Sequence, residues 1–343
     1  MRVQVPQNFL HNVPGWSGIS TDLGVVGTNL LLALVAILIL MVATNVFNET
    51  LEANAPEISA LAGKLSGPTA GAAAFLGWLS RDSDEGKHRS FLLSLIKPVI
   101  IVLITATIYA LLEPDFGFND QTLVLIVALV TGIAMASFLY EGGQVFWSSR
   151  HYDTPAAMRL FPLAILIAIG SVALTRVTDL HPGIIFGFVT AAAIFPRGEM
   201  SARARGMIIV VPLVGLLTVS AVAFFLIDPL REFSQDNPGV WATLPETIAV
   251  ALFVGGAESA LLILLPIKYN DGENVWAWNK MVWLLLAVPA MFMFFHAIVN
   301  DDEIGALVGD EGTLTLMIIA LVVLAIAVTT WLYFHLRERS QPA

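Results

Sequence analysis

Apolar residues along this chain gather in long unbroken stretches, and polar residues collect in the gaps between them. A helix needs about 20 apolar residues to cross about 30 Å of hydrocarbon. Eight stretches have roughly that length: 24–46, 91–113, 121–140, 157–175, 206–227, 243–266, 281–300 and 314–334. A ninth, 182–196, has 15 residues. As a helix rising about 1.5 Å per residue it would reach only about 22 Å. It reads as a thin span buried in the bundle or as a re-entrant piece. The pattern predicts an all-α, polytopic transmembrane helix bundle of about nine spans.

Positive charge orients the bundle. Counted from the N-terminal tail through each connection to the C-terminal tail, Lys and Arg alternate between sparse and dense at every step. One side collects 13 and the other 3 when Arg159, near the start of the stretch 157–175, is counted with the connection before it, and Lys97 lies inside a span. The denser side is expected to be cytoplasmic. This places residues 1–23 outside as a tail, 24–46 as the first span, 47–90 as a cytoplasmic loop, 91–334 as an eight-span bundle and 335–343 as a cytoplasmic tail. The alternation requires 182–196 to cross. No cleavable leader is expected, because the first residues lack its basic, apolar and small-residue order.

The loop 47–90 carries Ile58, Leu61 and Leu65 at the spacing of one helix face. The short apolar stretch 75–79 cannot span, so an interfacial amphipathic helix with Trp78 at headgroup depth is expected.

Composition narrows the class. The chain is 57% hydrophobic and 13% charged, where a soluble domain is about 25% charged. A lipid bilayer is therefore the expected surroundings. The net charge of −10 argues against a nucleic-acid partner. The absence of cysteine excludes disulfides, thiolate catalysis and cysteine-ligated zinc. No phosphate loop and no nucleophile elbow occurs. The acidic run Asp301 to Glu311 fits no EF-hand spacing and reads as a solvated loop. No cofactor and no metal site is expected.

An ionisable residue inside a membrane helix is costly and is by default a functional candidate. Glu258, followed by Ser259 and preceded by Gly255-Gly256-Ala257, is the clearest case. It reads as a proton or cation site, or as a structural carboxylate bonded to a neighbouring helix. Small residues beside it would let another helix approach closely. Lys97, next to Pro98, reads as a snorkelling side chain on a kinked helix. His181-Pro182-Gly183 reads as the cap of a short helix, or as the mark of a cavity such as broken helices form in transporters. Glu246 beside Pro245 reads as a solvated carboxylate, and His296 as a packed or interfacial residue.

The most motif-like stretch is Leu262 to Gly272, in which a span ends in Leu-Leu-Pro266, then Lys268, then an Asp271-Gly272 turn. Trp276, Trp278 and Trp283 follow as expected interfacial anchors. This stretch resembles the signature of uncharacterised bacterial, mainly actinobacterial, membrane proteins named for an FGLLP motif. Phe47 to Glu52 and Pro182 to Gly187 are similar to further pieces of that family. The chain has Ile263-Leu264 where Phe-Gly is usual. The resemblance implies architecture, and a bacterial cytoplasmic membrane as the location. The same stretch resembles the second motif of site-2-type intramembrane proteases, in which an Asp at the position of Asp271 ligates zinc. Those enzymes also need His-Glu-x-x-His, two imidazoles on one helix face with a general base between them. None of His11, His88, His151, His181, His296 and His335 has a histidine four residues away. That resemblance implies a chain whose hydrolytic chemistry has been lost.

Three functions follow. The first is a non-enzymatic membrane anchor, scaffold or assembly partner, with a protein partner at 47–90. The second is a transporter or channel using Glu258 in a polar cavity near 182–196. The third is a degenerate site-2-type protease.

Overall fold

The computed structural model describes residues 8–54, 91–178, 183–185, 187–237, 239–268, 270–299 and 311–340. The helices are α1 Leu23–Ala53, α2 Phe91–Ala110, α3 Asp120–Ser137, α4 Gly143–Tyr152, α5 Leu163–Thr178, α6 Ala202–Asp236, α7 Leu244–Leu264, α8 Asp271–Trp278, α9 Lys280–Met293 and α10 Glu311–Ser340. A π-helical turn, Phe138–Gly142, joins α3 to α4 without a break, and a second one, Phe294–Val299, extends α9. Two strands, β1 Ala156–Leu160 and β2 Thr190–Ile194, pair antiparallel.

Local chemistry sets the helix starts. Asp22 accepts bonds from the backbone of Gly24 and Val25 at the head of α1. Asn119 does the same for Thr122 in α3, Ser201 for Ala204 in α6, and Asn279 for Met281 and Val282 in α9. Each occupies an amide that the helix itself leaves without a partner.

Five helical stretches are long and apolar enough to cross a membrane: Leu23–Thr50, Asp120–Tyr152, Ala202–Asp236, Val240–Leu264 and Lys280–Ile298. Large apolar side chains on them point outward, among them Leu31, Leu38, Phe225 and Leu285. Such side chains on a surface need a hydrocarbon solvent. The molecule is a multi-pass helical membrane protein.

Helix α7 is the axis of the bundle, with 83% of its apolar window buried against 28–50% for the other four. It packs on α3, α6 and α9. Small residues permit this closeness. A Cβ on Gly256 would stand 1.9 Å from Ser220 Oγ on α6, and one on Gly132 of α3 would stand 3.2 Å from Ala251 Cβ on α7.

The end that carries residues 8–20 is called proximal and the opposite end distal. Helix α1 starts three residues after Ser20, which is bonded to His296, and near its other end carries Asn48, bonded to Pro266. Helix α2 returns to the turn that holds Glu113, which meets Phe9. Helices α3 and α4 lead to the distal end, where Tyr140 and Gln144 meet Asp271. Helix α5 comes back, and Arg176 bonds the Leu111 carbonyl.

The stretch 182–196 corrects the expectation of a short helical span. Its described part, residues 183–185 and 187–189, is irregular and ends in β2. It starts beside Thr175 and Leu112, which a Cβ on Gly183 would touch, and ends where Ile194 pairs with Ala156. The chain thus passes from the proximal to the distal end without being a helix. The reason is length: at about 3.3 Å per residue, residues 184–194 reach about 36 Å, well beyond what a helix of that size covers. The helix expected after His181-Pro182 is therefore not formed over the described residues 183–185 and 187–189, and His181 and Pro182 themselves lie outside the described residues. The span expected at 157–175 is corrected too, since β1 occupies 156–160 and the helix begins at Leu163. The expected interfacial helix and Trp78 lie outside the described residues.

Candidate functional site

A non-helical backbone at membrane depth must find partners for its amides, because no water is there to supply them. Side chains of α7, α3, the π-helical turn after α3 and α5 do this for the extended segment. Glu258 Oε2 accepts the Ile185 amide at 2.5 Å, and Ser259 Oγ accepts that of Gly187 at 3.0 Å. Ser137 Oγ accepts from Val189 at 3.1 Å and donates to the Gly187 carbonyl at 3.2 Å. Glu141 Oε2 accepts from Ala192 at 2.5 Å. Thr175 Oγ1 accepts from Ile184 at 3.3 Å. Glu258, Ser259, Ser137 and Glu141 are all buried. Together they form a polar seam along the segment.

At the distal end the seam meets the Leu-Leu-Pro turn. Asn270 Nδ2 donates to the carbonyls of Leu262, Ile263 and Leu265 at and just past the C-terminus of α7, where helix carbonyls lack their usual partners. Trp283 Nε1 donates to the Leu264 carbonyl at 2.6 Å. Asn48 on α1 donates to the Pro266 carbonyl and accepts the Lys268 amide. Asn270→Ala is expected to leave these carbonyls short of a donor and to cost about 1–3 kcal/mol. A thermal midpoint in detergent equal to that of the native chain would contradict it.

Asp271 opens α8. Its Oδ2 accepts from Tyr140 Oη at 2.6 Å and from Gln144 Nε2 at 2.9 Å. Tyr140 and Gln144 stand four residues apart on one helix face, with Glu141 directly after the first. Those are the relative positions of His, Glu and His in a His-Glu-x-x-His helix. Zinc does not fit this set. A metal ligand must present a lone pair, but the phenol and the amide nitrogen both point hydrogens at Asp271. The glutamate in the general-base position is bonded to the backbone of β2. Among the described residues no three His, Cys, Asp or Glu side chains are grouped to hold a metal.

The structure therefore brings Glu258 and Ser259 together on one side of 183–194, and Pro266, Lys268, Asp271 and Gly272 into one turn. Lys97 sits half-buried beside Pro98, and His181 is outside the described residues. Trp276 and Trp278 are half-buried, whereas Trp283 is 3% exposed and is an internal residue instead of an interfacial anchor. Trp276 packs edge-on against Trp283, and the Trp278 ring fills the space that a Cβ on Gly206 would need. Glu246 is not a solvated carboxylate: it is buried and paired with Arg231 and His11 at 2.8 Å each. Sequence reasoning passed over Tyr140, Glu141 and Gln144. The trace they leave is a glutamate and a glutamine three residues apart inside an apolar run.

Comparison of the chain with family profiles, with curated proteins and with solved structures finds no match.

Proposed function

We propose that the protein is a non-enzymatic multi-pass component of a bacterial cytoplasmic membrane, built on the frame of a site-2-type intramembrane metalloprotease. Hydrogen bonds stand where such an enzyme holds its metal. The observation that carries this reading is the pair Tyr140 and Gln144 converging on Asp271, with Glu141 between them in sequence. The three stretches that resemble the FGLLP-motif proteins also meet in space. Asn48 bonds the Leu-Leu-Pro turn, and the 183–187 stretch lies against the helix that ends in it. In this reading the chain passes the membrane nine times, eight times as helix and once extended. The N-terminus is outside, the distal end with Asp271 faces the cytoplasm, and a protein partner is expected for the loop 47–90.

The test is to restore the ligands. Tyr140→His with Gln144→His, on the native Asp271 and Glu141, is expected to bind about one zinc per chain by elemental analysis, since two imidazoles and a carboxylate make a zinc site. The native chain is expected to bind none. Stoichiometric zinc in the native protein, or a folded double variant that takes up no zinc, would sink the proposal.

A second reading, a transporter or channel, is favoured by one observation. Ser137 and Ser259 hold backbone amides of the segment with hydroxyls alone. The same task at Ile185 and Ala192 is done by carboxyls, which cost far more to bury. An ionisable group kept where a hydroxyl suffices supports a role in moving protons or a small cation along the segment.

A further inference from the structure

Residues 8–20 cross the proximal end and are tied to several elements. Asn8 Nδ2 donates to Thr247 on α7 at 3.3 Å, and the Phe9 amide donates to Glu113 at 2.8 Å. Arg231 on α6 donates to the carbonyls of His11 and Val13 at 3.0 and 2.9 Å. The Ser17 amide donates to Asp228 at 2.8 Å, and His296 contacts the Ser20 carbonyl at 3.0 Å. Phe9, Leu10 and Val13 are buried in the common core. The place is specific. Glu113 follows Leu112, whose Cδ1 would lie 3.0 Å from a Cβ on Gly183, the residue at which the described extended segment starts.

We propose that residues 8–20 are a latch closing the proximal end over the start of the extended segment, with Glu246 as its catch. Three features suit a part that opens. Its only regular structure is the four-residue turn Phe9–Asn12, so lifting it unwinds no helix. Its ties are mostly polar, and water replaces them when they break. They also converge: Glu246 Oε1 takes both His11 Nδ1 and Arg231 Nε at 2.8 Å, while Oε2 takes Ser234 at 3.2 Å. One carboxylate thus holds the latch directly through His11 and indirectly by orienting Arg231. The reading is independent of the metal question at the distal end.

The chain has no native cysteine, so a single one reports without background. Ile184→Cys, half-buried at the start of the segment, is treated in detergent with a cationic, membrane-impermeant methanethiosulfonate. It is expected to react slowly in the otherwise native chain. With Glu246→Gln, or separately Arg231→Gln, the rate is expected to rise at least about tenfold, as loss of a charge-assisted hydrogen bond predicts. Equal rates in the native background and in both variants overturn the proposal. So does fast reaction in the native background, because the end is then not closed. If neither variant yields a folded chain, the proposal also falls, since a latch must open without unfolding the bundle.

Discussion

Gly272→Ala is expected to remove most of the folded protein from a detergent extract. A Cβ there would stand 2.4 Å from the Leu265 carbonyl oxygen and 2.6 Å from the carbonyl carbon and oxygen of Leu264. These are backbone atoms, and they cannot swing aside as a side chain would. They are also held from the other side. Asn270 bonds the Leu265 carbonyl at 2.7 Å and Trp283 bonds that of Leu264 at 2.6 Å. Overpacking usually costs about 1–3 kcal/mol, and this site has the least freedom to relax, so the upper end or more is expected. The turn also sets Asp271 against Tyr140 and Gln144, so the damage reaches the seam. Thermal midpoints followed by size-exclusion chromatography decide the matter. A variant melting within about 2 °C of the native chain would show that the turn yields, and that Gly272 is dispensable.

Glu258→Ala is expected to destabilise strongly and Glu258→Gln only mildly, and the contrast separates structure from transport. Alanine leaves the Ile185 amide without an acceptor at the bundle axis, a loss of about 1–3 kcal/mol, with the vacated volume adding to it. Glutamine keeps an acceptor oxygen in place. It therefore preserves the backbone bond and removes only the ionisable group. Proteoliposomes with a trapped pH dye, challenged by an imposed pH gradient, read the second property. If the native chain dissipates the gradient and the folded glutamine variant does not, Glu258 carries protons. If native and empty liposomes behave alike, Glu258 is left with its grip on Ile185, and the transport reading loses its motive. Alanine and glutamine variants of equal stability would contradict the structural role as well.

The membrane class was legible because it rests on length and composition, which local sequence carries. The eight long apolar stretches each contain a helix, and five helical stretches are long and apolar enough to cross a membrane. What misled was the conversion of 15 apolar residues into a helix. Periodicity cannot tell a buried extended chain from a buried helix. What decides here is a set of partners far away in sequence, Glu258 and Ser259 after the segment and Ser137 and Glu141 before it. Glu258 could be singled out because burying a carboxyl is expensive wherever it happens. Glu141 could have been found on the same ground. Asp271 was found by its turn, whereas Tyr140 and Gln144 gained meaning only when folding placed them on it. Glu246 was misjudged because a carboxylate near a helix start looks solvated until Arg231 and His11 arrive from elsewhere in the chain.

The extended segment also fixes an order of events during synthesis. Its acceptors come from both directions: Ser137 lies 52 residues upstream of the amide it holds, and Glu258 lies 73 residues downstream of its own. A ribosome adding about 5–20 residues per second needs roughly 4–15 s to make that downstream stretch. For those seconds the amides of Ile185 and Gly187 have no partner from α7, and unpaired amides are not stable in lipid. The segment must therefore wait at an aqueous surface or inside the insertion machinery, and be drawn into the bundle only when α7 enters. The segment is thus laid after a helix that follows it in sequence, and a nascent chain stalled before residue 258 would hold an incompletely closed bundle.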